Sequence, residues 1–284
     1  MKEKIQKIAE EIRKSGANLY DFALMTEDGA EELILQPSNA CNNSYSVAKS
    51  FIATAAGILW DEGKLDLDQP VTDFFGGYKP ADANWRRVTT RHALTHTMGI
   101  AHGYLDIDVE DIGEYGTEDF LEVVFREPVP HEPGSFYRYS DAAYYLAARV
   151  VEQAAGEPAD CFIMNRLFRP LKVQEAAWSR CPMNHPIGAT GLYIRSRDMV
   201  KLGWLYANGG LYEGRQVISP RWIEEERRGG LAFQHGPCPG ARGKGGMYGQ
   251  MLMFSEDRRF AAAWHGFDPE GLTGKLPAAV SGLF

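Results

Sequence analysis

The chain is poor in cysteine, and Cys41, Cys161, Cys181 and Cys238 are too far apart for any CxxC pair. That spacing argues against a zinc site or a disulfide frame and leaves reduced thiols as the expectation. No stretch approaches the roughly 20 apolar residues that cross a bilayer. No basic tract occurs either, and a net charge of −8 with a pI near 5.5 sets aside nucleic acid and anionic membrane as expected partners. Met1 to Gly16 is charged at Lys2, Glu3, Lys4, Lys7, Glu10, Glu11, Arg13 and Lys14 and lacks the continuous apolar core of a secretory leader. A cytoplasmic protein is the resulting expectation. The chain has no internal repeat, and the glycines at 243, 245 and 246 lack the spacing and the Lys-Ser/Thr ending of a phosphate loop, so no cofactor is expected.

What is present is enough apolar content, 44% of 284 residues, to bury a sizeable core. Ile5, Ile8 and Ile12 share one face of an N-terminal amphipathic helix that Gly16 can stop. Asn18 to Thr26 and Glu31 to Leu35 read as a hairpin around Glu27-Asp28-Gly29. From Ser46 to about Met199 the pattern is mainly helical, with helices expected at Ser46 to Gly63, Thr90 to His96, Asp141 to Ala155, Ala159 to Leu167 and Ser196 to Asn208. Strand character returns at Met247 to Phe254 and Arg259 to Trp264, while the glycine-rich stretch Gly229 to Gly246 reads as a long loop. Strands at both ends with helices between predict an α+β fold. Residues 1–64 and 195–284 would build the α/β region, and residues 65–194 a mainly helical one.

Three places carry chemistry. Ser46 and Lys49 lie three residues apart at the start of a buried helix, which puts their Cβ atoms roughly 5–6 Å apart on one face. The helix start disfavours a further positive charge, which pushes Lys49 towards a neutral, proton-accepting form beside a nucleophilic hydroxyl. The same pair also reads as a cap and a surface charge. Tyr139-Ser140-Asp141 sits where a loop enters a helix: the tyrosine suits a general base, or equally a core residue beside a capping aspartate. Trp264-His265-Gly266-Phe267 ends the last good strand, where an amide beyond a glycine could meet an oxyanion. His92 and His96 have the spacing of a zinc pair, but Ala93 replaces the glutamate such a site needs and no third ligand is evident, so no metal is expected.

In this order the three places resemble the serine β-lactamase-like family, which includes class C β-lactamases, D-alanyl-D-alanine carboxypeptidases and many carboxylesterases. Supporting stretches are Ser46-Val47-Ala48-Lys49-Ser50-Phe51, Val88 to Ile100, Pro133-Gly134 before Tyr139-Ser140-Asp141, Arg169-Pro170-Leu171, Gly191-Leu192 and Asn208-Gly209-Gly210. The resemblance implies a β-lactamase/transpeptidase-like antiparallel sheet flanked by helices. It also implies acyl-enzyme formation on Ser46, with proton transfer shared by Lys49 and Tyr139. The oxyanion would be held by the amides of Ser46 and, if Trp264-His265-Gly266 matches the family's Lys-Thr-Gly strand, of Phe267.

Three departures qualify what the resemblance implies. Asp141 stands where penicillin-recognising members have an asparagine, and a carboxylate accepts hydrogen bonds but cannot donate one. It would also raise the pKa of Lys49 and shift the base role towards Tyr139. Trp264 stands where many members have a lysine, which favours esters without a carboxylate. After Gly266 only the 18 residues Phe267 to Phe284 remain, so the two strands and helix that usually follow are expected either to be missing or to be replaced by this tail. The resulting expectation is a hydrolase of small esters with weak or no β-lactamase activity. The alternatives are a D-amino-acid or ω-amino-acid peptide or amide hydrolase, and a catalytically silent penicillin-binding-like protein.

Overall fold

The computed structural model describes residues 1–37, 39–233 and 235–284. Helix α1 (Lys2–Ser15) leads into a hairpin of β1 (Leu19–Thr26) and β2 (Gly29–Ile34). A short strand β3 (Asn42–Asn43) and a 3-10 turn, Tyr45–Val47, precede α2 (Ala48–Asp61). Helices α3 (Thr90–Leu94), α4 (Phe120–Arg126), α5 (Asp141–Ala155) and α6 (Ala159–Ile163) follow, then β4 (Ala176–Trp178), β5 (Leu192–Ile194) and α7 (Ser196–Ala207). A small hairpin, β6 (Leu211–Tyr212) and β7 (Arg215–Gln216), and helix α8 (Pro220–Gly229) lead to β8 (His235–Cys238), β9 (Ala241–Gly245), β10 (Met251–Ser255) and β11 (Phe260–Gly266). Helix α9 (Leu276–Ser281) comes last.

The main sheet has six antiparallel strands in the order β2-β1-β11-β10-β9-β8, so the first hairpin joins the last strands through β1 and β11. Period-two alternation sends the two sets of side chains to different cores. Phe22, Leu24, Met253, Ala262 and Trp264 pack with Ile8 and Ile12 of α1 and Leu276 and Val280 of α9. Ala23, Leu252, Phe254, Ala261 and Ala263 face the larger core shared with α2, α5 and α7. Helix α2 is buried on every side from Ala48 to Leu59, as its nearly uninterrupted apolar sequence requires. Full burial of side chains such as Phe51, Ile52 and Leu59 contributes about 1.5–3 kcal/mol each. The turn that carries Ser46 is therefore anchored to one of the best-buried elements of the molecule.

Two expectations are corrected here. Gly229 to Gly246 is not a continuous loop: apart from Gln234, which lies outside the described residues, it contains the end of α8 and the paired strands β8 and β9. Its glycines act by being small, because a Cβ at Gly243 would meet the Leu252 carbonyl oxygen at 2.4 Å across the β9–β10 pairing. The strands and helix expected to be missing or replaced are also placed differently: β10 and β11 follow β9 in the main sheet, and the 18 residues after Gly266 add α9, which covers the outer face beside α1.

Candidate active site

Ser46 sits in the 3-10 turn that runs directly into α2, and Lys49 is in the first turn of that helix. The Lys49 Nζ lies 3.0 Å from Ser46 Oγ, as the three-residue spacing predicts. Tyr139 reaches the same oxygen from 93 residues away, its hydroxyl 2.6 Å from Ser46 Oγ. The loop that carries it ends in α5, whose first residue, Asp141, meets the Lys49 Nζ at 2.8 Å. Lys49 is fully buried and donates its third hydrogen bond to the Ala189 carbonyl oxygen at 2.8 Å. Its three N–H groups thus have three acceptors.

That geometry decides the charge on the lysine. Burial by itself pulls the amine down, but Asp141 and Tyr139 outweigh it and hold Lys49 above the ordinary lysine range. The neutral amine expected from the helix start is overruled by the aspartate, in the direction expected of Asp141. An ammonium with every N–H engaged has no lone pair with which to take a proton. It lies 4.9 Å from the centre of the Tyr139 ring, close enough to stabilise negative charge on the phenol oxygen.

The third place is not where the sequence pointed. Trp264 is fully buried on the α1 and α9 face, stacked on Phe22 at 5.7 Å, with its Nε1 donating to the Gly249 carbonyl. His265 is buried against α7, its Nδ1 2.7 Å from Ser196 Oγ, and the Ser196 hydroxyl donates to Asp21. Gly266 lies against β1, and the Phe267 amide is already bonded to the Asn18 carbonyl at 2.9 Å. Phe267 therefore has no free amide for an oxyanion. Its ring instead extends a row of aromatics, Tyr45, Tyr248 and Phe267, with successive centroids 5.5 and 4.7 Å apart.

Strand β9 occupies the position beside Ser46. Its Lys244 Nζ lies 5.2 Å from the Tyr139 ring centre, so two lysines approach the same phenol. Desolvation, and then repulsion by Lys49, lower the Lys244 amine to about 8, against a smaller opposing pull from Asp141. Gly246 abuts the nucleophile turn so closely that a Cβ there would be 2.6 Å from the Ser44 carbonyl oxygen and 3.2 Å from the Tyr45 Cβ. The next residue, Met247, opens a 3-10 turn, and Ser46 lies in the first turn of another, so neither amide is served by a carbonyl of its own turn. Lys244-Gly245-Gly246 thus places a Lys-x-Gly segment beside Ser46 and Tyr139. Sequence reasoning missed it because it read this stretch as a loop, although the three residues are adjacent in the chain.

The Nδ1 atoms of His92 and His96 accept separately from the backbone amides of Thr89 and Ser140. Asp106, Asp108 and Asp141 bring carboxylate oxygens within 4.8 Å of one another, with Asp141 already committed to Lys49.

An antiparallel sheet flanked by helices thus carries a serine, a lysine and a tyrosine that converge beside a Lys-x-Gly strand, the arrangement of a beta-lactamase-type fold. The chain belongs to the beta-lactamase family, whose model matches residues 40–267. Penicillin-binding protein 4 of Amycolatopsis lactamdurans is 33% identical over 150 residues, 50% of this chain and 39% of that protein. Esterase EstB of Burkholderia gladioli is 31% identical over 146 residues, 47% of this chain and 37% of that protein. A penicillin-binding protein homolog from Caulobacter crescentus shares the fold with a TM-score of 0.78 over 99% of this chain and 98% of that one, at 16% identity. The chain spans about two fifths of the length of the curated relatives it matches. Among the described residues no helix is long and apolar enough to cross a membrane.

Proposed function

We propose that the protein hydrolyses small esters through an acyl-enzyme on Ser46. The observation that carries this reading is the pair of contacts on Ser46 Oγ, 2.6 Å to the Tyr139 hydroxyl and 3.0 Å to the Lys49 ammonium. Tyr139, as phenolate, takes the serine proton while Ser46 Oγ attacks the ester carbonyl; Lys49 and Lys244 hold the charge on the phenol oxygen. The amides of Ser46 and Met247 are the candidate oxyanion donors. Tyr139 then returns the proton to the leaving alcohol; water, deprotonated by the same oxygen, attacks the acyl carbon, and Tyr139 passes that proton to Ser46 Oγ as its bond to the acyl group breaks and the acid leaves.

Asp141 supports esters over β-lactams, since the side-chain amide of a β-lactam offers a carbonyl that a carboxylate cannot serve as donor. The preference for esters without a carboxylate, which rested on Trp264, loses its ground. Lys244 instead favours substrates that bear a carboxylate, including short amides and peptides, and this supports the amide hydrolase as a second reading. Intact mass after incubation with a fluorophosphonate or a nitrophenyl ester tests the proposal. A single adduct that disappears in Ser46→Ala is expected; labelling that persists in that variant, or no adduct at all, refutes it.

A further inference from the structure

His96 takes part in none of the steps above, yet it grips the residue proposed as base from both sides. Its carbonyl oxygen accepts the Arg138 amide at 2.8 Å, and its Nδ1 accepts the Ser140 amide at 3.3 Å. Between those two amides lies Tyr139, whose ring rests on the imidazole with centroids 4.4 Å apart at 32°. The other face of the pocket is Tyr144 of α5, 5.1 Å away, and Tyr137 approaches the imidazole edge-on at 6.0 Å. His96 is buried and holds a left-handed φ of 56°, a conformation in which histidine and asparagine are over-represented among non-glycine residues. A backbone held there has to be over-determined by its surroundings.

We propose that His96 is a positioning residue, which as a neutral imidazole with its proton on Nε2 sets the place of the Tyr139 hydroxyl over Ser46. The inference rests on Tyr139 being the base. The tautomer follows from the hydrogen bond: an amide donor at Nδ1 needs a lone pair there. Protonation would set an N–H against the Ser140 N–H. It would also add a third cation to a cluster that already holds Lys49 on α2 and Lys244 on β9, where Asp141 of α5 is the counter-charge in contact with Lys49 and Asp106 and Asp108 lie behind Asp141. Burial, and then those two amines, keep the imidazole well below its ordinary titration range, so the grip survives at neutral pH.

Two substitutions separate positioning from mere packing. His96→Asn keeps an acceptor on a short side chain and suits the left-handed backbone, whereas His96→Phe keeps the ring contact and loses the acceptor. A misplacement of about 1 Å at a reacting group costs on the order of 100-fold. Stopped-flow acylation by nitrophenyl acetate, on variants shown to be folded by circular dichroism, should therefore fall by about that factor in His96→Phe at nearly constant KM, and by less than about 10-fold in His96→Asn. Equal losses in the two variants, or an acylation rate in His96→Phe within about 3-fold of the parent, would overturn the inference. Long-range proton–nitrogen correlations of the parent should show the Nε2–H tautomer at neutral pH, and an Nδ1–H tautomer would also overturn it. A parent protein that fails to acylate at Ser46 defeats the hydrolase reading itself, which is a distinguishable result.

Discussion

Two glycines make the placement of the oxyanion strand testable. Alanine at Gly246 would bring its Cβ to 2.6 Å from the Ser44 carbonyl oxygen and 3.1 Å from the Gln250 Cβ. The first of these contacts is with backbone, so either the nucleophile turn or β9 has to move. The amides of Ser46 and Met247 lie on the two segments that would be forced apart. Loss of one oxyanion donor costs about 2.7–4 kcal/mol, or roughly 100- to 1,000-fold in kcat. Alanine at Gly266 meets an equally tight set of atoms, 2.5 Å from the Asn18 carbonyl oxygen and 2.7 Å from Leu19 Cδ2, but these lie at the start of β1, which β11 and β10 separate from β9. That substitution should cost about 1–3 kcal/mol of stability as overpacking. Measuring nitrophenyl acetate turnover per folded molecule, with thermal unfolding alongside, reads the two effects separately. If folded Gly246→Ala keeps kcat within about 3-fold of the parent, or folded Gly266→Ala loses as much as Gly246→Ala, the assignment of β9 as oxyanion strand is wrong.

Asp141→Asn removes the counter-ion of a fully buried ammonium. Stability should drop by about 3–5 kcal/mol or somewhat less, since asparagine keeps the shape, and nitrocefin turnover should rise relative to nitrophenyl acetate; an unchanged ratio contradicts the donor argument. Lys244 is charged below about 8 and neutral above it, so KM for an ester bearing a carboxylate should climb as pH rises through that value. An uncharged ester should show no such climb, and a flat KM for both sinks the carboxylate role. Trp264→Ala should cost about 3–5 kcal/mol in thermal or denaturant unfolding while the folded enzyme keeps its ratio of kcat between carboxylate-bearing and neutral esters. A changed ratio would return Trp264 to the site.

The parts of the site that were legible are those set by short-range geometry. Ser46 and Lys49 could be paired from spacing because one helical turn brings them together whatever the rest of the chain does. The first hairpin and helices α2, α5 and α7 were legible for the same kind of reason, as period and turn chemistry are local. Tyr139 could be singled out from its loop but paired with Ser46 only by resemblance, since that contact closes a loop of 93 residues. Strand β9 was invisible: Ala241-Arg242-Gly243-Lys244-Gly245 has little strand propensity and is extended because β8 and β10 pair with it.

The sequence by itself determined which hydroxyl could be a nucleophile, which amine lies one turn away, and that a buried helix carries both. Only the tertiary structure decided the charge on that amine, which a carboxylate from α5 reverses from what the helix start favours. It alone decided which Gly-ended strand lies beside the nucleophile. Strand order depends on pairing between segments far apart in the chain, and the apolar strand β11 is drawn to the centre of the sheet by burial, leaving the polar, glycine-rich β9 beside the turn that carries Ser46.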